Sequence, residues 1–572
     1  MTTAPRTFEV PAGCWQRESS HCPRPVSALM RSLLPIVNAG FGRMCTEMGV
    51  LAETVEWREI GGWVYTRVVP PGGKDRPVPP AWLFPALVRL VPALRRSVQR
   101  AAEAQRTDRF GGYLARWEQE WRSELTARIA ELRAVDVAVL DDAALAQHLD
   151  DVMELTHQAW QTHFLLHGVN AYVLADLAFT GRELLGWSDG RTLELLVGLS
   201  GASTAPGREL AHLTRLARRE PALRRLLEQG EFAAVLDRLP EAAPEFAAAL
   251  AAYQCRFGFR TIRYEPADPT LEESPEVTLR LVADQLLSGF DPDAQASELA
   301  RRRRAACQEA RSRLVGRPAE SERFERALRR AERFYPVRED NAPMTFSEPL
   351  ALIRRVAREI GRRLAEVGGL EERDDVFHLE IGEIARSLRV MVAGRSVPDL
   401  RSVVAARRAE RAWVEAHPGP PSYGEDRGLP PFHKLPPAAR FANEALLWLV
   451  ERIFAESESA HRQAAGSHLR GIPAATGRYR GPARLLLTEA DFPKLKPGDV
   501  LVCPVTSPAW SMVFPNIGGL VTDSGGRLSH PAIIAREFGI PAVVATGNAT
   551  DLLRDGQDIT VDGSAGVVEV HG

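Results

Sequence analysis

Cysteine is scarce in this 572-residue chain: Cys14, Cys22, Cys45, Cys255, Cys307 and Cys503, with no C-x-x-C pair among them. That spacing excludes a zinc knuckle and a dense disulfide framework, and it fits a reducing cytoplasm. A surplus of either charge is missing too, because 72 Lys and Arg stand against 74 Asp and Glu. Such a balance leaves no electrostatic footprint for nucleic acid or for an anionic membrane. The one conspicuous basic run, Arg301 to Arg304, has Glu298 and Glu309 beside it and reads as a solvated helix face. Long apolar runs are absent as well: residues 81–94 are broken by Pro85, Arg89 and Pro92, and MTTAPRTFEVPAG lacks the apolar core of a secretion signal, so no membrane span is expected. There is no G-x-x-x-x-G-K-[ST] phosphate loop, since Gly72-Gly73-Lys74 is followed by Asp75 in a proline-flanked turn.

What is abundant is helix-forming sequence. Alanine-, leucine- and arginine-rich segments fill 82–315 and 349–416, interrupted by Pro and Gly clusters at 204–207, 289–292 and 418–430. Leu145, Leu149, Val152, Met153 and Thr156 fall on one helical face, with Asp141 or Asp142 as the N-cap. Phe324, Ala327, Leu328, Ala331 and Tyr335 repeat that spacing. His417 to Pro437 is too rich in Pro and Gly for either regular element and reads as a loop. A helix over Ala442–Ser457, a turn near Gly466 and a hinge near Arg470 then lead into the C-terminal segment. No fixed period marks a solenoid.

In that last segment TDSGGRLSHPAIIAREFGIPAVV, Thr522 to Val544, sets one histidine, His530, between a glycine turn and a helix. Gly525 and Gly526 suit the positive φ angles that gather backbone N–H groups into one concavity, and Pro531 suits a first helical turn. The helix dipole favours a neutral ring, a bias that nearby acids reverse. Val521 and Val543–Val544 read as strands, so the order is strand, glycine turn, helix, strand, the arrangement in which α/β sites sit.

From Gly471 to Val570 the chain resembles the swivelling phosphohistidine domain of phosphoenolpyruvate synthase, pyruvate phosphate dikinase and rifampicin phosphotransferase. The resemblance rests on GIPAATGRYRGPARLL, VTSPAWSMVFPNIGGLVTD, the histidine motif and DGQDITVDGSAGVVEV. It implies a phosphate-carrying role for His530, with Gly525, Gly526, Arg527, Ser529 and Arg536 around it. Leu528 stands where some relatives have Thr, which removes one hydroxyl. CWQRESSHCPRPVSALM, Cys14 to Met30, resembles the point at which rifampicin phosphotransferases pass into their substrate-binding part, which implies that this chain begins past their ATP-grasp domain. The fold class is accordingly a mostly α substrate-binding body plus a C-terminal α/β swivelling domain, with 1–437 as the body (divisible into two subdomains), 438–470 as linker helix and hinge, and 471–572 as the α/β domain.

Two further stretches resemble the family. FGFRTIRYEPADPTLEESP, Phe257 to Pro275, supplies Arg260 and Glu265, as an ion pair pinning a loop or as substrate contacts, with Phe259 where the family has histidine. VREDNAPMTF, Val337 to Phe346, supplies Arg338 and Glu339, but Ala342 replaces a basic residue, and phosphoryl transfer depends on neutralising charge on the migrating group. His163 and His167 in HQAWQTHFLLHGVNAY lie four apart on one helix face. Without a third ligand they read as the tips of an aromatic wall that lines a substrate pocket, and no metal is expected.

A phosphohistidine carrier needs a donor, and neither an ATP-grasp domain nor a phosphoenolpyruvate barrel is legible in the sequence. The leading expectation is therefore an ATP-independent dehydratase, cytoplasmic and cofactor-free. His530 would act as acid and base on a hydroxylated small molecule, complemented by Arg338, Glu339 or Glu265. The alternative is a phosphotransferase subunit whose His530 is charged by a separate ATP-grasp partner using ATP and Mg.

Overall fold

The computed structural model describes residues 8–571 apart from 74–76, 262, 427, 455–467 and 488. The end of the glycine turn at Lys74, the turn expected at Gly466 and the last residues of the helix drawn to Ser457 lie outside the described residues. The chain folds as two compact units that interleave in sequence: 1–172, 264–268 and 341–446 form the first, and 173–263, 269–340 and 447–572 the second. The stretch read as one helical body is thus divided between both, and the C-terminal segment shares a unit with helices from the middle of the chain.

The first unit contains a sheet that the helical reading of the body missed. Strands β1 (Trp15–Arg17), β2 (Thr54–Ile60), β3 (Trp63–Val69) and β4 (Ser422–Tyr423) run in the order β2-β3-β1-β4, antiparallel throughout. Gly61 and Gly62 join β2 to β3 with φ of 59° and 86°, the double positive φ that a two-residue hairpin turn requires. Tyr423 of β4 pairs with Trp15, so the segment at 417–437 is not wholly loop. Helix Ala28–Met48 starts at Ser27, whose hydroxyl accepts from Met30 N–H, and ends at Gly49 in the left-handed region.

The second unit holds an eight-stranded sheet. Its strands are β5 (His468–Arg470), β6 (Ile472–Ala475), β7 (Arg478–Leu485), β8 (Val500–Cys503), β9 (Gly519–Thr522), β10 (Ala542–Val544), β11 (Asp558–Asp562) and β12 (Val567–Val570). They lie in the order β5-β12-β11-β7-β8-β9-β10-β6. The central run β7-β8-β9-β10 is parallel and the flanking pairs are antiparallel. Residues alternate between faces along each strand. Val500, Val502, Val521 and Val543 pack with Ile559, Val561 and Leu553 on one face. Leu501, Cys503, Leu520, Ala542 and Val544 pack on the other, against Leu210, Leu213, Phe514, Ile534 and Phe538. A parallel sheet needs cover on both faces, which is why the C-terminal segment shares its core with helices Gly201–Arg219 and Pro275–Ser288. The Pro and Gly cluster at 204–207 does not break the first of these, which runs through Pro206. Gly207 leaves room for the neighbouring chain, since a Cβ there would lie 3.1 Å from Phe538 and Pro515.

The long helix Asp142–Leu185 begins where Asp141 accepts from Ala144 N–H, at 2.8 Å. It is the one described helix long and apolar enough to cross a membrane, and 83% of its most apolar window is buried inside the protein. Leu145, Leu149, Val152 and Thr156 are buried as their spacing requires, and so are Phe324, Ala327, Leu328, Ala331 and Tyr335 in helix Pro318–Ala342. Among the described residues no disulfide joins any of the six cysteines.

Candidate active site

His530 opens helix His530–Phe538 immediately beyond the turn that follows β9, at the C-terminal ends of parallel strands. The two glycines of the turn do different work. Gly525 has φ of 112°, so only glycine sits there without strain. Gly526 keeps a negative φ and is required instead by close approach: a Cβ would fall 2.2 Å from the carbonyl oxygen of Arg452. That same carbonyl accepts Leu528 N–H at 2.9 Å, clamping the turn onto helix Pro437–Phe454. Ser529, expected beside a phosphoryl group, turns its hydroxyl back to donate to the Gly526 carbonyl at 2.7 Å. Leu528 is fully buried.

Helix Pro318–Ala342 brings Arg338 and Glu339 to the histidine. Glu339 Oε2 lies 3.5 Å from His530 Nδ1, and Glu339 Oε1 lies 3.5 Å from Arg338 Nε. At that distance neither contact is a tight hydrogen bond. Arg338 Nη2 donates to the Leu528 carbonyl. His530 Nε2 is buried with no hydrogen-bond partner among the described residues, while the side chain as a whole is 12% exposed. A histidine with one nitrogen facing a carboxylate and the other uncommitted is suited to take and return a proton, or to accept an electrophile at Nε2.

Two further cations stand near the turn. Arg527 Nε donates to the Pro473 carbonyl at 3.4 Å, and burial holds its guanidinium below the usual arginine range. Arg536 Nη1 donates to the Ala474 carbonyl at 2.9 Å, while its Nη2 is buried without a partner. Tyr335, read from the sequence only as part of a buried helix face, and Glu537, not singled out there, complete the surroundings. Tyr335 is buried one helical turn before Glu339, and its phenol is pushed up by burial, then by Glu537. The i, i+4 spacing to Glu339 was the signal that could have found it. The Glu537 carboxylate accepts Gly198 N–H and is raised to about 7, chiefly by burial.

The remaining candidates are divided between the two units. Glu265 belongs to the first unit, where its carboxylate receives Ser27 N–H at 2.9 Å, Ser27 Oγ at 2.6 Å and Ala267 N–H at 3.1 Å. It anchors the start of helix Ala28–Met48, and its pKa is raised by burial first and Asp268 second. Arg260 lies in the second unit against the faces of Phe257 and Phe259. His163 Nδ1 sits 2.9 Å from Asn341 Oδ1 and 3.0 Å from Thr345 Oγ1, and its ring lies 4.2 Å from that of His167. Among the described residues no group of three His, Cys, Asp or Glu side chains could hold a metal. From His163 the aromatic wall runs one way through Phe164 and Phe41 to Trp57, and the other way through Phe346 to Tyr264.

A histidine presented by strand, glycine turn and helix defines a class, and residues 495–566 match the family described as PEP-utilising enzyme, mobile domain. Residues 163–339, which end at Glu339, match the rifampicin phosphotransferase fourth domain. The chain thus carries two segments similar to parts of phosphotransferase-type enzymes, the mobile domain of PEP-utilising enzymes and the fourth domain of rifampicin phosphotransferase. It is 30% identical to chondramide synthase of Chondromyces crocatus over 80% of this chain and 12% of that protein. It is 30% identical to rifampicin phosphotransferase of a Streptomyces species over 72% of this chain and 46% of that protein. Against rifampicin phosphotransferase of Bacillus cereus the identity is 48%, over 18% of this chain and 11% of that protein. The chain spans less than half the length of each of these curated relatives.

Proposed function

We propose that the chain is an ATP-independent dehydratase acting on a hydroxylated natural-product intermediate. The observation that carries this reading is His530 itself, with Nδ1 facing Glu339 and Nε2 buried and unpartnered. In the proposed cycle Nε2 takes a proton from carbon and the ring becomes imidazolium, stabilised by Glu339. The electron pair of the broken C–H bond forms the double bond and expels the neighbouring hydroxyl. Nε2 returns the proton to that hydroxyl, water departs, and the ring is neutral again. No nucleotide enters, and the loss of a basic residue at Ala342 is tolerated. The relationship to a chondramide synthase supports natural-product chemistry.

A second reading, phosphoryl transfer from a separate ATP-grasp subunit, is favoured by Arg536, on the helix that His530 opens, whose Nη2 is buried without a partner among the described residues. The test incubates purified protein with a small-molecule extract of the producing cells in deuterated water, without nucleotide. Products lighter by one water should appear with the wild type and not with His530→Asn. An acid-labile phosphoryl adduct on His530 that is required for turnover would replace the first reading by the second.

A further inference from the structure

Residues 77–102, in the first unit, hold Arg89, Arg95, Arg96 and Arg100 and not one acid. The near-neutral balance of the whole chain conceals this local segregation. All four arginines are exposed, and among the described residues none of them forms an ion pair. Exposed arginines elsewhere are paired with acids, as Arg301 is with Glu298 and Arg401 with Asp399.

The same stretch carries unburied apolar surface. Among the described residues Trp82 is the one exposed tryptophan of the chain's eleven; it is 78% exposed, and Leu90 is equally so. The way the segment is held explains why. Helix Phe84–Leu90 buries only Phe84 and Val88, and helix Pro92–Arg106 buries only Ala101 and Ala104. The second helix is pinned near its far end by backbone contact, because a Cβ at Gly49 would lie 2.3 Å from Ala101 N. Trp82, Ala86 and Leu90, every fourth residue, are left in water as an apolar strip, and Arg95, Arg96 and Arg100 follow as a basic helix face.

We propose that this surface docks on an anionic lipid membrane, with Trp82 and Leu90 entering the interfacial layer and the four arginines engaging headgroup phosphates. A strip of three side chains is too narrow for the core of a protein interface, which buries about 800 Å² on each partner. It is sufficient for shallow insertion, and tryptophan is a residue that settles at the membrane–water boundary. Guanidinium matches phosphate with paired hydrogen bonds, and each arginine near an anionic surface strengthens binding about fivefold. Broken by Pro85 and Pro92, the segment lies on such a surface and does not cross it. The proposal is independent of the chemistry at His530.

The test is co-sedimentation of the full chain with vesicles of phosphatidylcholine alone and of phosphatidylcholine mixed with phosphatidylglycerol. Wild-type protein should sediment with the mixed vesicles, be released by high salt, and stay in solution with phosphatidylcholine. Replacing two arginines together, Arg95→Gln with Arg96→Gln, should weaken binding about twentyfold. Trp82→Ala should weaken it about tenfold and leave the salt dependence unchanged. These side chains are exposed, and thermal melts matching the wild type confirm that the variants fold. No binding to the mixed vesicles, equal binding to both kinds, or binding that either substitution leaves intact overturns the proposal. Self-association of the chain that Trp82→Ala abolishes overturns it as well, and assigns the face to a second copy.

Discussion

Replacing Glu537 by glutamine should stabilise the protein at pH 8 and change little at pH 5. The carboxylate is 1% exposed, and its pKa rises from an ordinary 4.5 to about 7, with burial as the largest cause. Gly198 N–H, Arg536 and Arg303 pull the other way, and Glu339 adds to the rise. A tenfold change in proton affinity is worth about 1.4 kcal/mol, so the rise from 4.5 to about 7 corresponds to about 3 kcal/mol. The sign follows from linkage. A carboxyl whose folded pKa is raised binds its proton more tightly in the native state, so its contribution is fully present below pH 4.5 and is lost as pH rises through about 7. Glutamine keeps an oxygen for Gly198 N–H and carries no charge at any pH. Urea denaturation followed by circular dichroism at the two pH values measures the difference. The variant should gain on the order of 3 kcal/mol over the wild type at pH 8 and less than about 1 kcal/mol at pH 5. Wild type as stable as the variant at pH 8, or a gap of the same size at both pH values, would refute the reasoning.

Gly526→Ala should cost about 1–3 kcal/mol, because the new methyl meets the backbone at Arg452 rather than a side chain that can move. Gly382→Ala, in helix Ile381–Val392 with open space around it, should instead gain about 0.5–1 kcal/mol; thermal melts of the pair check both. Asp189→Asn should destabilise by about 3–5 kcal/mol in urea titrations, since the buried carboxylate receives Arg182, Arg452 and the Trp448 indole, and helix Pro437–Phe454 holds the histidine turn. Ser27→Ala removes both a helix cap and a hydrogen bond to buried Glu265, costing about 1–2 kcal/mol for the cap. Because Glu265 is already raised by burial and would rise further, that loss should be larger at pH 8 than at pH 5.

The histidine turn was legible because glycine and proline report backbone geometry directly: Gly525 takes the positive φ that its type announces, and Pro531 falls in the first helical turn. Gly526 was equally visible, but its reason was not, since a clash with Arg452 involves residues 74 positions apart. The strands β9 and β10 and the buried helix faces followed from periodicity. The small sheet did not. Its hairpin carries a Gly-Gly turn between β-branched and aromatic residues, a signal that the surrounding alanine- and arginine-rich sequence outweighed. Strands β1 and β4, three and two residues long and about 400 positions apart, have no local signature at all. Pro206 failed as a helix breaker because packing against the sheet outweighs one lost hydrogen bond. Asp189 and Glu537 are ordinary acids in sequence, and only burial distinguishes them.

What separates the two chemistries open to His530 is where the nearby charges are committed. Stabilising a migrating phosphoryl group takes cations pointed at its oxygens. Arg338 donates to the Leu528 carbonyl and lies beside Glu339, Arg527 donates to the Pro473 carbonyl, and Arg536 gives one of its nitrogens to the Ala474 carbonyl. Much of the positive charge around the turn is therefore already directed at backbone oxygens, and the carboxylate of Glu339 faces the ring. An acid–base cycle needs the opposite arrangement: one carboxylate to steady the imidazolium and no requirement for a ring of free cations. On this argument Glu339→Gln should lower the rate of water loss while leaving substrate affinity unchanged, because Glu339 stabilises the protonated ring that forms only during the reaction. If the effect fell on affinity alone, with the rate at saturation intact, Glu339 would be holding a ligand rather than a proton, and the phosphoryl-transfer reading would regain the advantage.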